Sequence, residues 1–413
     1  MAEVTKTMKL HIRPSDEAVH AFRETTEAYR QGCNYVSEYI FCHDMNLTFL
    51  KLTEHTYQNL RKEYGLKAQL AQSVVKTVIA RYKTVESQLE GHPYRYKDES
   101  GRLQYIPRTL KWLVKPVLFS RPQADYVRNR DYSFVADKET GERRLSLNTL
   151  SGRVLVPYDV PEPFAGYFDG TWKFGTGKLV RLKGEWYFHL PVTAEVPEDQ
   201  VMTRDKVRHV VGIDRGLRFL AATYDEKGKN RFFCGRRAVE KRHAFQKVRD
   251  ELQARGTKSS KRALKRISGR ENRWMSDVNH RISKTLVDAY GKGTLFVMED
   301  LTGVSFSQDT LGSRTAKGRK DLRSWPFYQL EQDLTYKAQA AGSAVLKVDA
   351  HYTSQRCPKC GRIHRENRLH SRHLYRCDRC GYQSNDDRLG AMNIQMLGTF
   401  YVSGMDRPKF AVR

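Results

Sequence analysis

Residues 4–12, VTKTMKLHI, alternate apolar and polar side chains with the period of a strand that buries one face, and Pro14 followed by Ser15, Asp16 and Glu17 marks a helix start. From there Val19, Phe22, Tyr29, Cys33, Val36 and Ile40 recur at helical spacing. A second amphipathic stretch, Leu66 to Leu89, puts Leu70, Val74, Val78, Ile79, Tyr82, Val85 and Leu89 on one side. Between Leu110 and Val196 the pattern changes to short β-prone runs broken by Pro and Gly: WLVKPVLF, DYSFVA, RRLSLNTL, GRVLVPY and GKLVRLKGEWYFHLPVTAEV. Such runs predict a β-barrel or sandwich module. Pairing of the opening strand with that module makes the helical stretch an insertion.

After Lys206 the pattern is that of βα units. Val210-Val211-Gly212-Ile213-Asp214 reads as a buried strand ending in an acid, and Leu217 to Tyr224 as a strand able to hairpin back. A helix through Val278, Ile282, Leu286 and Val287 leads to a second buried strand, Leu295 to Met298, which ends in Glu299. A helix around Tyr328 to Ala340 precedes a strand Ala344 to Val348, and a last helix runs from Leu389 to Met396. Ser305 to Lys320, rich in Ser, Thr, Gly and basic residues, reads as a mobile loop, and no internal repeat is present.

At 413 residues the chain exceeds what one compact core accommodates. Lys plus Arg number 73 against 47 acids, a net charge of +26 that suits a polyphosphate partner. Between Arg236 and Arg273 stand 14 basic residues against 4 acidic ones, a density that is costly unless an anion such as nucleic acid lies against it. No apolar run reaches about 18 residues and the opening MAEVTKTMKLHIRP has no apolar signal core, so the expectation is a soluble, intracellular chain with no membrane partner. Seven cysteines, four of them in CxxC pairs, suit a reducing compartment where thiolates bind metal. Cys33, Cys42 and Cys234 are expected as small core residues.

Cys357-Pro-Lys-Cys360 and Cys377-Asp-Arg-Cys380, with 16 residues between the pairs, have the spacing of a structural zinc ribbon, since four thiolates close a tetrahedron and leave no open position for catalysis. A redox CxxC pair has no thioredoxin-like context here. His364, His370 and His373 lie inside the ribbon loop as potential substitute ligands, and Arg362, Arg365, Arg368, Arg372, Arg376 and Arg379 give it a basic surface. Seven residues after Cys380 comes Asp387, at the start of the last helix. Phosphodiester cleavage with two Mg2+ ions needs several carboxylates converging from different elements. Asp214, Glu299 and Asp387 are therefore the candidate catalytic residues and Mg2+ ligands, with Asp300, Asp349 and Asp386 as supporting or solvated groups. On the second amphipathic stretch Gln69, Gln72, Ser73, Lys76 and Lys83 combine bidentate amides with cations, which suits base edges and phosphates; a solvated face gives the same pattern. The strand around Lys178 to Val192 interleaves Lys, Arg, Trp and Tyr in a way that suits RNA.

VVGIDRGLRFLA, VMEDLTGV, LKVDAHYTSQRCPKCG, RCDRCGY and DDRLGAMNI follow in the order and spacing of the TnpB family of transposon-encoded proteins, which this chain resembles most specifically between residues 205 and 397. Compact type V CRISPR effectors share that core. The resemblance implies an α/β multidomain fold with an RNase H-like RuvC nuclease domain, residues 206–350 and 385–413, interrupted by the zinc ribbon, 351–384. It further implies a wedge β-barrel, residues 1–13 and 110–205, carrying a helical recognition insertion, 14–109. The implied partners are a guide RNA and double-stranded target DNA, with the protein reading a short motif beside the target. The implied cofactors are two Mg2+ at a single RuvC site and one structural Zn2+, in the prokaryotic cytoplasm at the nucleoid, with a monomer preferred to an oligomer.

By motif, Asp214 matches the first-strand Asp, Glu299 the Glu of E-D-L, and Asp387 the Asp opening D-x-N-A-A-x-N-I. The chain departs from the pattern at Leu389 and Gly390, which stand for Asn and Ala, and at Arg215, which stands for an apolar residue. Two alternatives stay open: a nuclease-dead relative that occupies DNA with a guide, and a guide-independent RNase H-type transposase. The intact acids weigh against the first and the ribbon before the third acid against the second. A plain zinc-ribbon DNA-binding factor leaves the strand-end acids unexplained.

Overall fold

The computed structural model describes residues 3–136, 141–195, 202–301, 326–369 and 372–411, and of Pro163 the backbone alone; the loop expected at Ser305 to Lys320 and the ribbon residue His370 lie outside them. The chain divides into two compact units, residues 5–195 and residues 1–4 with 196–413.

In the first unit, β1 (Glu3–Ile12) buries Met8, Leu10 and Ile12, the alternate positions of its sequence. Helix α1 (Asp16–Cys42) starts at Ser15, whose Oγ accepts the Ala18 N–H at 3.3 Å. Helix α2 (Phe49–Lys62) was not visible in the apolar spacing, and α3 (Ala68–Glu90) follows it. A side chain at Gly32 of α1 would stand 2.9 Å from Leu60 of α2, so the glycine sets their close approach. Next comes a hairpin of β2 (Tyr94–Lys97) and β3 (Leu103–Ile106), in a region read as helical from the sequence. Six further strands complete a larger sheet with β1: β4 (Gln123–Tyr126), β5 (Tyr132–Ala136), β6 (Arg143–Thr149), β7 (Gly152–Asp159), β9 (Gly177–Leu182) and β10 (Glu185–Glu195), with the two-residue β8 (Lys173–Phe174) pairing β10. Their order is β4-β9-β10-β1-β7-β6-β5. Its edges, β4 and β5, are consecutive in the chain, and a bridge between Arg128 and Tyr132 nearly closes the sheet. The opening strand thus lies in the middle of the β-rich module.

The run WLVKPVLF forms no strand. Its polar groups are taken by α1 instead: the Val117 carbonyl accepts from Ser37 Oγ at 2.7 Å, the Phe119 carbonyl from Asn34 Nδ2 at 3.1 Å, and the Phe119 N–H donates to Asn34 Oδ1 at 2.8 Å.

The second unit is built on a five-stranded sheet of order β13-β12-β11-β14-β15. Strands β11 (His209–Asp214), β12 (Phe219–Asp225) and β13 (Asn230–Cys234) form an antiparallel meander; β14 (Thr294–Glu299) and β15 (Ala344–Val348) continue parallel to β11. Between β13 and β14 run α4 (Arg236–Arg255), α5 (Lys258–Ile267) and α6 (Arg270–Tyr290), and α7 (Phe327–Ala340) precedes β15. Val211, Ile213, Phe296 and Met298 face α6 and α7, packing on Ile282, Leu286, Leu330 and Leu334. The alternate positions, Val210, Leu295 and Val297, face the last helix α8 (Asp386–Val402) through Ile394 and Leu397.

At its glycine contacts helix α8 lies directly on the strands. A Cβ at Gly212 would come 2.2 Å from the Ala391 carbonyl, and one at Gly398 would come 2.4 Å from Val297 Cγ2. Between β15 and α8 the chain forms a small cysteine-bearing lobe with β16 (Arg368–Leu369), β17 (Leu374–Arg376) and β18 (Gln383–Asn385).

Candidate active site and metal centre

Register alone brings the first two acids together. Ile213 pairs with Met298 in the parallel β11–β14 ladder, so the next residues, Asp214 and Glu299, end neighbouring strands side by side. Because Ile213 and Met298 face α6 and α7, the following pair faces α8. A Cβ at Gly390 of α8 would stand 2.6 Å from Asp214 Oδ2. The departure from Ala at this position therefore gives the Asp214 carboxylate its space.

Asp387 enters from the first turn of α8. Asn385 caps that helix, its Oδ1 accepting the N–H groups of Asp387 at 3.1 Å and Arg388 at 3.0 Å. A Cβ at Gly216, two residues past Asp214, would lie 4.0 Å from Asp387 Oδ1. Burial raises the Asp214 carboxyl well above its usual range, and the charges of Glu299 and Asp387 push it the same way. Burial likewise raises Glu299, opposed by a hydrogen bond from Thr353, and raises Asp387, which also feels Asp386. Among the described residues Asp387 Oδ2, a buried atom, has no hydrogen-bond partner.

The neighbouring acids have different surroundings. Asp386 is 2 % exposed; its Oδ2 accepts from Arg368 Nε at 3.1 Å and its Oδ1 from the Asp387 N–H at 3.1 Å. Asp300 pairs with Lys347 at 3.3 Å, and Asp349 accepts the His351 N–H at 2.7 Å. Among the described residues, His373, Asp386 and Asp387 can bring three ligand atoms within 4.8 Å of one another; Asp214, Glu299 and Asp387 together span more.

Supporting residues escaped the sequence reading. Thr353 donates its hydroxyl to Glu299 Oε1 at 2.5 Å, and Asn393 of α8 donates to the Thr353 carbonyl at 2.7 Å and the Arg356 carbonyl at 2.8 Å. Arg215 is fully engaged: Nη2 donates to the Glu299 carbonyl at 2.7 Å, and Nη1 to Glu331 Oε2 at 3.1 Å. The guanidinium thus ties the ends of β11 and β14 to α7. Thr353, Arg215 and Asn393 all sit inside the quoted motifs, but nothing in the residue types there announces these contacts.

The four cysteines come together as two matching knuckles. Gly361 and Gly381, each just after its second cysteine, adopt φ of +76° and +71°, and their N–H groups donate to the Cys357 and Cys377 carbonyls at 3.0 Å. Cys357 Sγ lies 3.6 Å from Cys380 Sγ, and Cys360 Sγ lies 3.5 Å from Cys377 Sγ. All four sulfurs fall within 4.8 Å of one another, against an edge of about 3.8 Å for a tetrahedron of thiolates at 2.3 Å from zinc. The donor set fits zinc. Leu389, the other departure from the motif, is fully buried against Cys357, Tyr375 and Cys377 and joins this lobe to α8. Of the remaining cysteines Cys33 is buried, but Cys42 and Cys234 are exposed, contrary to expectation, because each falls at the end of its element.

On α3 the proposed reading face divides. Lys76 and Lys83 are exposed and Gln69 and Gln72 half-buried, with Gln69 Oε1 accepting from Arg130 at 2.9 Å and Lys76 Nζ 5.4 Å from the Phe49 ring centre. Ser73 is corrected: it is 4 % exposed and belongs to the packed side with Val74 and Leu70. Among the basic residues of α4, Arg242 is buried against Glu271 at 3.3 Å, so part of that charge serves packing.

Residues 327–394 match the family model described as Cas12f1-like, TNB domain, and residues 189–302 match one described as Probable transposase. Over 230 residues the chain is 34% identical to the CRISPR-associated endodeoxyribonuclease Cas12f1 of Sulfoacidibacillus thermotolerans, covering 51% of this chain and 50% of that protein. It is 27% identical over 217 residues to the TnpB-like protein MJ0751 of Methanocaldococcus jannaschii, covering 50% of this chain and 76% of that one. The chain spans about half the length of the Cas12f1 relative. Among solved structures, a Cas12f1-sgRNA-target DNA complex determined by cryo-EM contains a chain similar in fold, with a TM-score of 0.58 at 13% identity over 95% of this chain and 99% of that one.

Proposed function

We propose that this chain, a TnpB-family protein related to the compact type V effectors, is an RNA-guided endonuclease that hydrolyses phosphodiesters of DNA at Asp214, Glu299 and Asp387. The observation that carries the reading is the unbalanced negative charge on the α8 side of the sheet. Three carboxyls stand partly buried side by side, all are raised by the loss of solvent, and among the described residues Asp387 Oδ2 has no donor. A protein keeps such an arrangement where a cation or a reacting group restores the balance. The strand order, an antiparallel meander continued by two parallel strands, supports an RNase H-like RuvC nuclease in residues 206–350 and 385–413. Residues 351–384 are the zinc ribbon, and residues 1–13 and 110–205 a wedge barrel with recognition helices in 14–109.

Asp214, Glu299 and Asp387 hold two Mg2+ ions. Bound there, the ions supply activation of the attacking water and neutralisation of charge on the leaving oxygen. Thr353 fixes one Glu299 oxygen and leaves the other free to ligate, while Arg215 holds the Glu299 backbone. Asp386 engages Arg368 and thereby keeps that guanidinium from closing onto Asp387. Cys357, Cys360, Cys377 and Cys380 hold Zn2+, which fixes the loop ahead of α8. The net charge of +26 accommodates the RNA and its heteroduplex, with Gln69, Gln72, Lys76 and Lys83 reading the motif beside the target. The Cas12f1 relative is named an endodeoxyribonuclease, and the similar fold was solved with a guide RNA and target DNA.

The test is to purify the chain with its RNA, sequence that RNA, and supply DNA matching its 3′ end. Cleavage is expected with Mg2+ and is expected to fall more than about 100-fold, beyond what loss of a supporting residue costs, in Asp214→Ala, Glu299→Ala and Asp387→Ala, with RNA content unchanged. Cleavage retained in any of the three removes that residue from the site.

A further inference from the structure

The hairpin β2–β3 is exposed at every one of its eight residues. Two-stranded hairpins are marginal in water by themselves, so a fold that keeps one with aromatic side chains outward gains from something that covers it. Tyr94 and Tyr96 stand on one face, with ring centres 6.3 Å apart and planes 21° from parallel, and Trp112 lies 5.8 Å from Tyr94. On the other face the Arg95 guanidinium lies 5.6 Å from the centre of Tyr105. Tyr94 is 50 % exposed, Tyr105 54 % and Trp112 42 %.

The charge around these rings is one-sided. Residues 91–115 carry six Lys or Arg against two acids. One of the two, Asp98, is engaged by its own turn: its Oδ1 accepts the N–H groups of Ser100 at 3.0 Å and Arg102 at 2.9 Å, and its Oδ2 accepts from Gln104 at 2.8 Å. That turn holds the two strands in register and presents the rings on a fixed frame. Flat π surfaces interleaved with cations recognise unpaired bases on an anionic backbone, and a lipid surface or an apolar groove would not call for stacked tyrosines flanked by arginines.

We infer that the β2–β3 hairpin is a stacking platform for unpaired bases of the RNA this chain carries. The inference rests on the RNA-guided reading. RNA is preferred to DNA because the RNA stays bound throughout and carries unpaired loops, whereas the target strand is paired with the guide and the displaced strand is single only while a target is held.

The test uses the full chain stripped of its RNA, and a fluorescent unstructured RNA of about 15 nucleotides, within the site sizes that such grooves occupy. Tyr96→Ser with Tyr105→Ser is expected to weaken binding roughly 10-fold, as loss of base stacking does, with an unchanged salt slope. Tyr96→Phe with Tyr105→Phe is expected to bind like the parent, since the ring faces remain. Arg95→Ala is expected to lower the salt slope. Ultraviolet crosslinking of the purified RNA complex is expected to mark Tyr94, Tyr105 or Trp112.

Unchanged affinity in the Ser variant, DNA of the same sequence binding more tightly than RNA, or a change from dimer to monomer in the Ser variant each overturns the inference, the last pointing to a second copy as the occupant. If RNA copurifies and guided cleavage proceeds while the hairpin fails these tests, the nuclease reading stands alone. If the parent chain holds no RNA at all, both fall.

Discussion

On the α7 side of the five-stranded sheet the buried Arg215 guanidinium meets Glu331 at 3.1 Å and the Glu299 carbonyl at 2.7 Å. On the α8 side Asp214, Glu299 and Asp387 stand partly buried, the charges of the last two raise Asp214, and the nearby guanidinium of Arg368 is hydrogen-bonded to Asp386. One face buries charge in a neutral pair; the other buries like charges. The same strands carry both, since Asp214 and Arg215 are adjacent and point to opposite faces. A neutral buried pair holds elements in place, while a surplus of one sign stores repulsion that a bound cation relieves.

The strongest way to break this contrast is to remove what holds the α8 face in position. Cys357→Ser or Cys377→Ser is expected to release zinc, measured as metal per chain, and to expose the segment before α8 to proteolysis; a structural zinc contributes on the order of 10 kcal/mol to folding of its own site. Unchanged metal content refutes a four-cysteine site. Next in size is Arg215→Leu, which leaves Glu331 buried without its guanidinium and is expected to cost about 3–5 kcal/mol in denaturant unfolding, lessened by Lys347 at 3.6 Å. Adding Glu331→Leu is expected to restore most of that loss; a double variant as weak as the single one shows that Arg215 acts through something other than the pair.

Gly390→Ala sharpens the comparison from the other side. A methyl group 2.6 Å from Asp214 Oδ2 displaces the carboxylate, and Mn2+ binding followed by electron paramagnetic resonance is expected to weaken roughly 10- to 100-fold with the RNA content unchanged. Unaltered Mn2+ affinity uncouples Gly390 from the site.

The smallest expected effect has the opposite sign. Carboxyls raised by burial bind protons more tightly in the folded chain than in the unfolded one. Their favourable contribution is therefore full below the ordinary carboxyl range and is lost as pH rises through the raised values. In a chelator, thermal stability is expected to fall across that window, and Asp214→Asn is expected to stabilise the cation-free chain by roughly 1 kcal/mol while weakening Mn2+. A destabilised Asp214→Asn chain refutes stored repulsion.

Much of the second unit was legible along the chain because its signals are local. Val210 to Ile213 and Leu295 to Met298 are apolar runs of strand length, each ending in an acid, and the cysteine pairs announce themselves by spacing. The first unit was read less well. WLVKPVLF has strand composition, yet Ser37 and Asn34 on a distant helix take its polar groups. Hairpin β2–β3 was hidden because its strands bury neither face and so show no useful alternation. Ser73 was assigned to the open side of α3 on chemistry alone, while packing placed it inside.

The amino-acid order by itself determined the buried strands of the second unit, the start of α8 and the placing of acids at strand ends, since backbone preference and hydrophobic period act over a few residues. Tertiary structure decided which acid is left without a donor. Asp386 and Asp387 are chemically alike and adjacent, but the approach of Arg368 from the cysteine lobe satisfies Oδ2 of the first, while among the described residues Oδ2 of the second has no partner. It also decided that Gly212, Gly390 and Gly398 matter, because a missing side chain has consequences only where another backbone or carboxylate comes to fill the space.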